Sequence, residues 1–85
     1  MPPRDKKDDK PNRIQACVEK ELRAYFKMLD GQPPCELHKM VVSEAEKALF
    51  RMVLKHADGN QSRCAEYLGI SRGTLRKKLV EYELN

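Results

Sequence analysis

The sequence predicts an all-α protein of four helices, on three observations. Apolar residues recur at three- and four-residue steps over two long segments, no stretch shows strand-like alternation, and the last 27 residues, GNQSRCAEYLGISRGTLRKKLVEYELN, hold two short helical patterns separated at Gly69. The chain has 85 residues, enough for one small domain, and a domain of that size is only marginally stable by itself. Oligomerisation is a common remedy.

Residues 1–12, MPPRDKKDDKPN, mix both signs of charge with three prolines and have almost no apolar content. Such a segment buries too little surface to offset its ordering entropy, and a disordered tail is expected. The first helix is expected from Arg13 to Leu29, with Ile14, Cys17, Val18, Leu22, Tyr25, Phe26 and Leu29 at helical spacing. Asn12 is placed to cap it, and Gly31, Pro33 and Pro34 end it.

The second helix is expected from Glu36 to Ala57, about 33 Å long at ~1.5 Å per residue. Leu37, Met40, Val41, Ala45, Ala48, Leu49, Met52, Val53 and His56 supply its period, and Val42, Phe50 and Leu54 widen the apolar arc beyond what one neighbour covers. A helix apolar over so much of its circumference needs cover from several sides. In so short a chain a second copy supplies it most simply, so residues 13–57 read as a dimerisation unit. Gly59 is placed to end this helix.

Residues 58–85 read as a helix-turn-helix. Asn60 caps a third helix, Gln61–Leu68; Gly69 ends it with a residue that takes positive φ cheaply; Ser71 caps a fourth, Arg72–Tyr82. Ala65 is the small residue where the two helices cross, and Leu68, Ile70, Leu75 and Leu79 lock their angle. At 100° per residue Leu75, Leu79 and Tyr82 point inward, whereas Gly73, Thr74 and Lys77 point outward, with Arg72 and Arg76 on one shoulder and Lys78 on the other. A helix laid in a major groove needs this layout: outward residues near its N-terminus meet base edges and its shoulders meet the phosphate rails.

Arg72 is the candidate base reader, since a guanidinium grips guanine O6 and N7 with two hydrogen bonds. Gly73 lets the backbone approach the DNA. Lys77 is placed to reach a base or a phosphate, and the two readings stay open. Thr74, Arg76 and Lys78 read as phosphate contacts. Asn60, Gln61 and Ser62 face the DNA backbone in the same geometry, Asn60 with a capping role as well.

The rest of the sequence mainly excludes. Charged residues make up 35% of the chain, and the net charge of +4 suits a polyanionic partner. Cys17, Cys35 and Cys64 lie 18 and 29 residues apart, which fits no zinc pattern, and no cofactor is expected. Cys17 and Cys64 border apolar helix faces and read as core filler; Cys35 lies in a Pro-rich loop. No apolar run exceeds four residues, so neither a signal peptide nor a membrane span is expected, and the chain reads as cytoplasmic. His38 and His56 have no Cys, Ser or carboxylate arrangement suited to catalysis, and no Gly-rich phosphate loop is present, so an enzyme is not expected.

The string GNQSRCAEYLGISRGTLRKKL closely resembles the C-terminal signature of the Fis (factor for inversion stimulation) family, and the match extends from about Ile14 to Asn85 in helix order and loop placement. The resemblance implies a homodimer whose first two helices intertwine, with one helix-turn-helix per subunit. Fis-family dimers hold their recognition helices closer together than one turn of straight DNA, so the duplex bends to fit and groove shape carries much of the preference. Carried over by position, Arg72 would contact a base edge, and Asn60, Ser62, Thr74, Arg76, Lys77 and Lys78 would hold the backbone or supplement base contacts. Ser71 stands where the enteric form has Asn. Val80 and Glu81 stand where it has two lysines, which implies fewer contacts with flanking DNA. Enteric Fis carries a longer N-terminal arm that activates a DNA invertase, and that activity is not expected here. The implied roles are nucleoid organisation and transcriptional regulation, with RNA polymerase or other transcription proteins as further partners. The same signature occurs in the DNA-binding domain of nitrogen-regulator-C type activators, which is the nearest alternative, although no ATPase or receiver segment is present. A helical protein-interaction module, its partner held on the wide face of the second helix, is the alternative from another class.

Overall fold

The computed structural model describes the backbone of residues 2–84 and the side chains of residues 12–84. Among the described residues all regular structure is helical: α1 (Pro2–Leu29), α2 (Leu37–His56), α3 (Gln61–Leu68) and α4 (Arg72–Glu81). The chain divides into two compact units, Met1–Cys35 and Glu36–Asn85.

The first unit is α1. Its helix starts at Pro2, not at Arg13, and carries Pro11 and Asn12 inside it, so Asn12 does not start the helix and residues 2–12 of the expected tail are helical, Met1 lying outside the described residues. Pro2 and Pro3 occupy the first turn, where a missing N–H costs nothing. The apolar stripe expected along α1 is present but uncovered. Ile14 is 65% exposed and Met28 76%, and Val18, Leu22, Tyr25 and Leu29 are only half-buried. Cys17 is exposed rather than packed.

The second unit holds the core. Phe50, Ala57, Cys64, Ala65, Leu75 and Leu79 are buried, and Val53, Leu54, Leu68, Ile70, Tyr82 and Leu84 pack around them. Leu75 and Leu79 are almost wholly removed from water, a burial that stabilises by about 1.5–3 kcal/mol for each. Cys64 fills this core as expected, and its loss of solvent pushes the thiol pKa up.

The wide apolar arc of α2 divides in two. Phe50, Val53, Leu54 and Ala57 turn to α3 and α4, whereas Val42 (38% exposed), Leu49 (49%) and Met52 (64%) lie about a third of a turn away and face solvent. The end of α2 also departs from expectation. Asp58, at φ 56°, already takes the left-handed conformation, and Gly59 follows it at φ 78°. The Gly59 N–H bonds the Leu54 carbonyl and the Asp58 N–H bonds that of Lys55, so the capping motif begins one residue before the glycine.

Candidate nucleic-acid interface

The site is built on the turn between α3 and α4. Asn60 accepts the Arg63 N–H through its side-chain oxygen at 3.0 Å and opens α3. Gly69 closes that helix at φ 75°: its N–H and that of Ile70 return to the carbonyls of Glu66 and Ala65. This double bond pattern needs a left-handed residue, and glycine supplies it without a side-chain penalty. Ala65, 3% exposed, lies in the buried cluster where a larger side chain would hold the helices apart. Ser71 then accepts the Thr74 N–H at 3.1 Å and opens α4. Both helix starts, and the end of α3, fall at the predicted residues.

The outward residues of α4 take the predicted places. Leu75 and Leu79 are buried and Tyr82 is half-buried, while Arg72, Gly73, Thr74, Arg76 and Lys77 are exposed. Asn60, Ser62 and Ser71 are exposed at the starts of the two helices, and Gln61 is half-buried. Among the described residues no carboxylate pairs with Arg72, Arg76 or Lys77, so their charge is available to an outside partner.

Local hydrogen bonds also assign donors. The Ser71 hydroxyl donates to Thr74 Oγ1 at 2.9 Å, which leaves the Thr74 proton free to be given outward. The Asn60 oxygen is taken by the cap, which leaves its amide N–H groups. Both free groups are donors, as acceptor-only phosphate oxygens require. Gly73 has open surroundings: a Cβ built there would meet only Ser71 Oγ, at 4.0 Å.

Lys78 differs from the other cations. Its ammonium lies 3.2 Å from Glu46 Oε1 and 3.9 Å from Glu81 Oε1. The Tyr82 hydroxyl donates to the same Glu46 oxygen at 2.6 Å, and the Tyr82 ring rests on Phe50 with centroids 6.2 Å apart. The hydrogen bond from Tyr82, more than the ammonium beside it, holds the Glu46 carboxyl below its ordinary pKa. In return, hydrogen bonding to Glu46 raises the Lys78 ammonium and the Tyr82 phenol above theirs. Sequence reasoning assigned Glu46 no role. Nothing in the local pattern of α2 marks it, because its partners stand on another helix. Among the described residues no three His, Cys, Asp or Glu side chains are grouped as metal ligands.

A buried leucine lock, a left-handed glycine turn and a capped basic second helix define the helix-turn-helix class. Residues 41–82 match the family described as bacterial regulatory protein, Fis family. The chain is 50% identical to the DNA-binding protein Fis of Glaesserella parasuis over 74 residues, 87% of this chain and 74% of that one. It is 49% identical to a putative Fis-like DNA-binding protein of Pseudomonas aeruginosa over 71 residues, 84% of this chain and 68% of that one. The chain belongs to the Fis family of bacterial regulatory proteins.

Proposed function

We propose that this chain is a homodimeric DNA-binding regulator that bends its site. The observation that carries this is the free cationic edge of α4: Arg72 and Arg76 on one shoulder of the helix, and Lys77 on the side away from the buried Leu75 and Leu79, stand exposed and unneutralised. With α4 in the major groove, Arg72 reads a base edge and Gly73 admits the DNA backbone close to the helix. Asn60, Ser62, Ser71, Thr74, Arg76 and Lys77 hold phosphates, Lys77 with a base also in reach. The names of the two relatives support DNA as the partner.

The uncovered Val42, Leu49 and Met52 face of α2 and the uncovered stripe of α1 support the dimer, because a second copy presents matching apolar surface. Two groove helices held by one rigid core set a fixed spacing, and the duplex bends to meet it. Such a regulator acts in the cytoplasm on the nucleoid. No helix among the described residues is long and apolar enough to cross a membrane.

The test is a gel-shift titration with circularly permuted duplexes at physiological salt. Retarded complexes whose mobility depends on site position establish binding and bending together. Binding with uniform mobility leaves a module that does not bend its site. A well-folded dimer that binds no duplex shifts the function to protein interaction.

A further inference from the structure

We infer that Glu46, on α2 and away from the DNA-facing edge, is a positioning residue for recognition: it fixes how α4 presents its cations, and it holds Lys78 against a carboxylate of α2 rather than on a phosphate. This rests on α4 being the DNA-binding helix.

The geometry is specific. Apolar contacts such as Phe50 against Tyr82 are non-directional and leave a helix some freedom to roll. Hydrogen bonds are directional. Among the described residues, the side-chain hydrogen bond and the ion pair that link two different helices both end on one atom, Glu46 Oε1. Their donors, Tyr82 and Lys78, lie one helical turn apart at the C-terminal end of α4 and its cap. Two donors a turn apart on a single acceptor set the roll of α4 about its axis. That roll decides where Arg72, Arg76 and Lys77 point.

The same contacts take Lys78 out of the phosphate-binding set. Its side chain is 32% exposed, and it has carboxylates of Glu46 and Glu81 within 4 Å. One positive and two negative charges leave this cluster at −1. A phosphate is therefore drawn to the N-terminal part of α4, where Arg72, Arg76 and Lys77 are unpaired.

The experiment measures duplex affinity against salt concentration for the full chain, using a random-sequence duplex and a duplex selected by the wild-type protein from a random pool. Helical content and melting temperature are checked for each variant. Lys77→Met should lower the salt slope by ~1.8, one phosphate contact of ~0.9 from each subunit of the dimer, while Lys78→Met leaves it unchanged. Glu46→Gln frees the Lys78 ammonium of each subunit, so it should steepen the slope by up to ~1.8, and the steepening should vanish in the Glu46→Gln, Lys78→Met double variant. Tyr82→Phe keeps the ring on Phe50 and loses only the hydroxyl. It should cut the selected-to-random affinity ratio several-fold at an unchanged slope. A slope that falls by ~1.8 in Lys78→Met makes Lys78 a phosphate anchor in each subunit and overturns the inference alone. Steepening that survives in the double variant, or a ratio unmoved by Tyr82→Phe, also overturns it. Salt-independent or absent binding by the wild-type protein overturns the DNA assignment, and the inference with it.

Discussion

Arg72 stands in the first turn of α4, exposed and with no carboxylate partner among the described residues. A guanidinium so placed has two uses on DNA, a phosphate clamp or a two-pronged contact to guanine, and substitution separates them. Arg72→Ala is expected to weaken the selected duplex more than a random one, by ~1–3 kcal/mol of lost discrimination. Equal losses on the two duplexes would reduce Arg72 to a phosphate contact. Glu46 offers a second test at this scale, through pH. Its carboxyl is held below the ordinary carboxylate pKa by Tyr82 first and Lys78 second, so protons bind the unfolded chain more readily than the folded one. The stabilisation is therefore present above the ordinary range and is lost as pH falls through the lower folded value. Lys78 and Tyr82 are raised, so their share is full below their ordinary values and is lost as pH rises through the folded ones. Thermal melts should show Glu46→Gln with a weaker loss of stability in acid than the wild-type protein. Parallel acid profiles for the two would remove Glu46 from the balance.

At the scale of the element, two glycines of the helix-turn-helix make opposite demands. Gly69 sits at φ 75° with nothing within 4 Å of a would-be Cβ, so its role is conformational: any other residue strains the backbone there by about 1–2 kcal/mol. Gly73 lies inside α4 with helical backbone and open surroundings. Folding alone favours alanine at that position, by up to ~1 kcal/mol. Gly73→Ala is accordingly expected to raise the melting temperature and to weaken duplex binding, since the added methyl stands between backbone and DNA. A variant that is more stable and binds as well as wild type would show that no close approach occurs there. The same two positions show what the sequence makes legible. Caps and turns are local, so Asn60, Gly69 and Ser71 mark the limits of α3 and the start of α4 to the residue. The inward and outward faces of α4 follow from period alone. The left-handed Asp58 was less legible, because Gly59 beside it carries the stronger signal. The helix of α1 starts earlier than expected: polar composition argued for disorder, but Pro2 and Pro3 also suit a first helical turn. Glu46 was invisible for a different reason: it lies 36 residues from Tyr82, and no periodic pattern links them.

For the whole molecule, the decisive property is how many helix-turn-helix units meet one duplex. The single chain leaves Met52 64% exposed and Leu49 49% exposed on a face of α2 that α3 and α4 do not cover. Met52 is the better site for a test than its neighbour Val53. Val53 packs against the buried cluster, so a charge there damages the subunit itself, whereas Met52 is 64% exposed. Met52→Glu should therefore keep the helix-turn-helix intact and sediment with the mass of one chain. Its effect on DNA follows from linkage. In a dimer the second α4 binds its half of the site at a high effective concentration set by the first, an advantage of ~10²–10⁴ in affinity. The monomer should lose that factor on a full site and keep the wild-type affinity of one unit for an isolated half-site. Bending should go with it, since one unit imposes no spacing on the duplex. Loss on full and half-sites alike would point to damage within the unit. A variant that still sediments as a wild-type dimer would place the interface elsewhere, with the exposed stripe of α1 as another apolar surface to carry it.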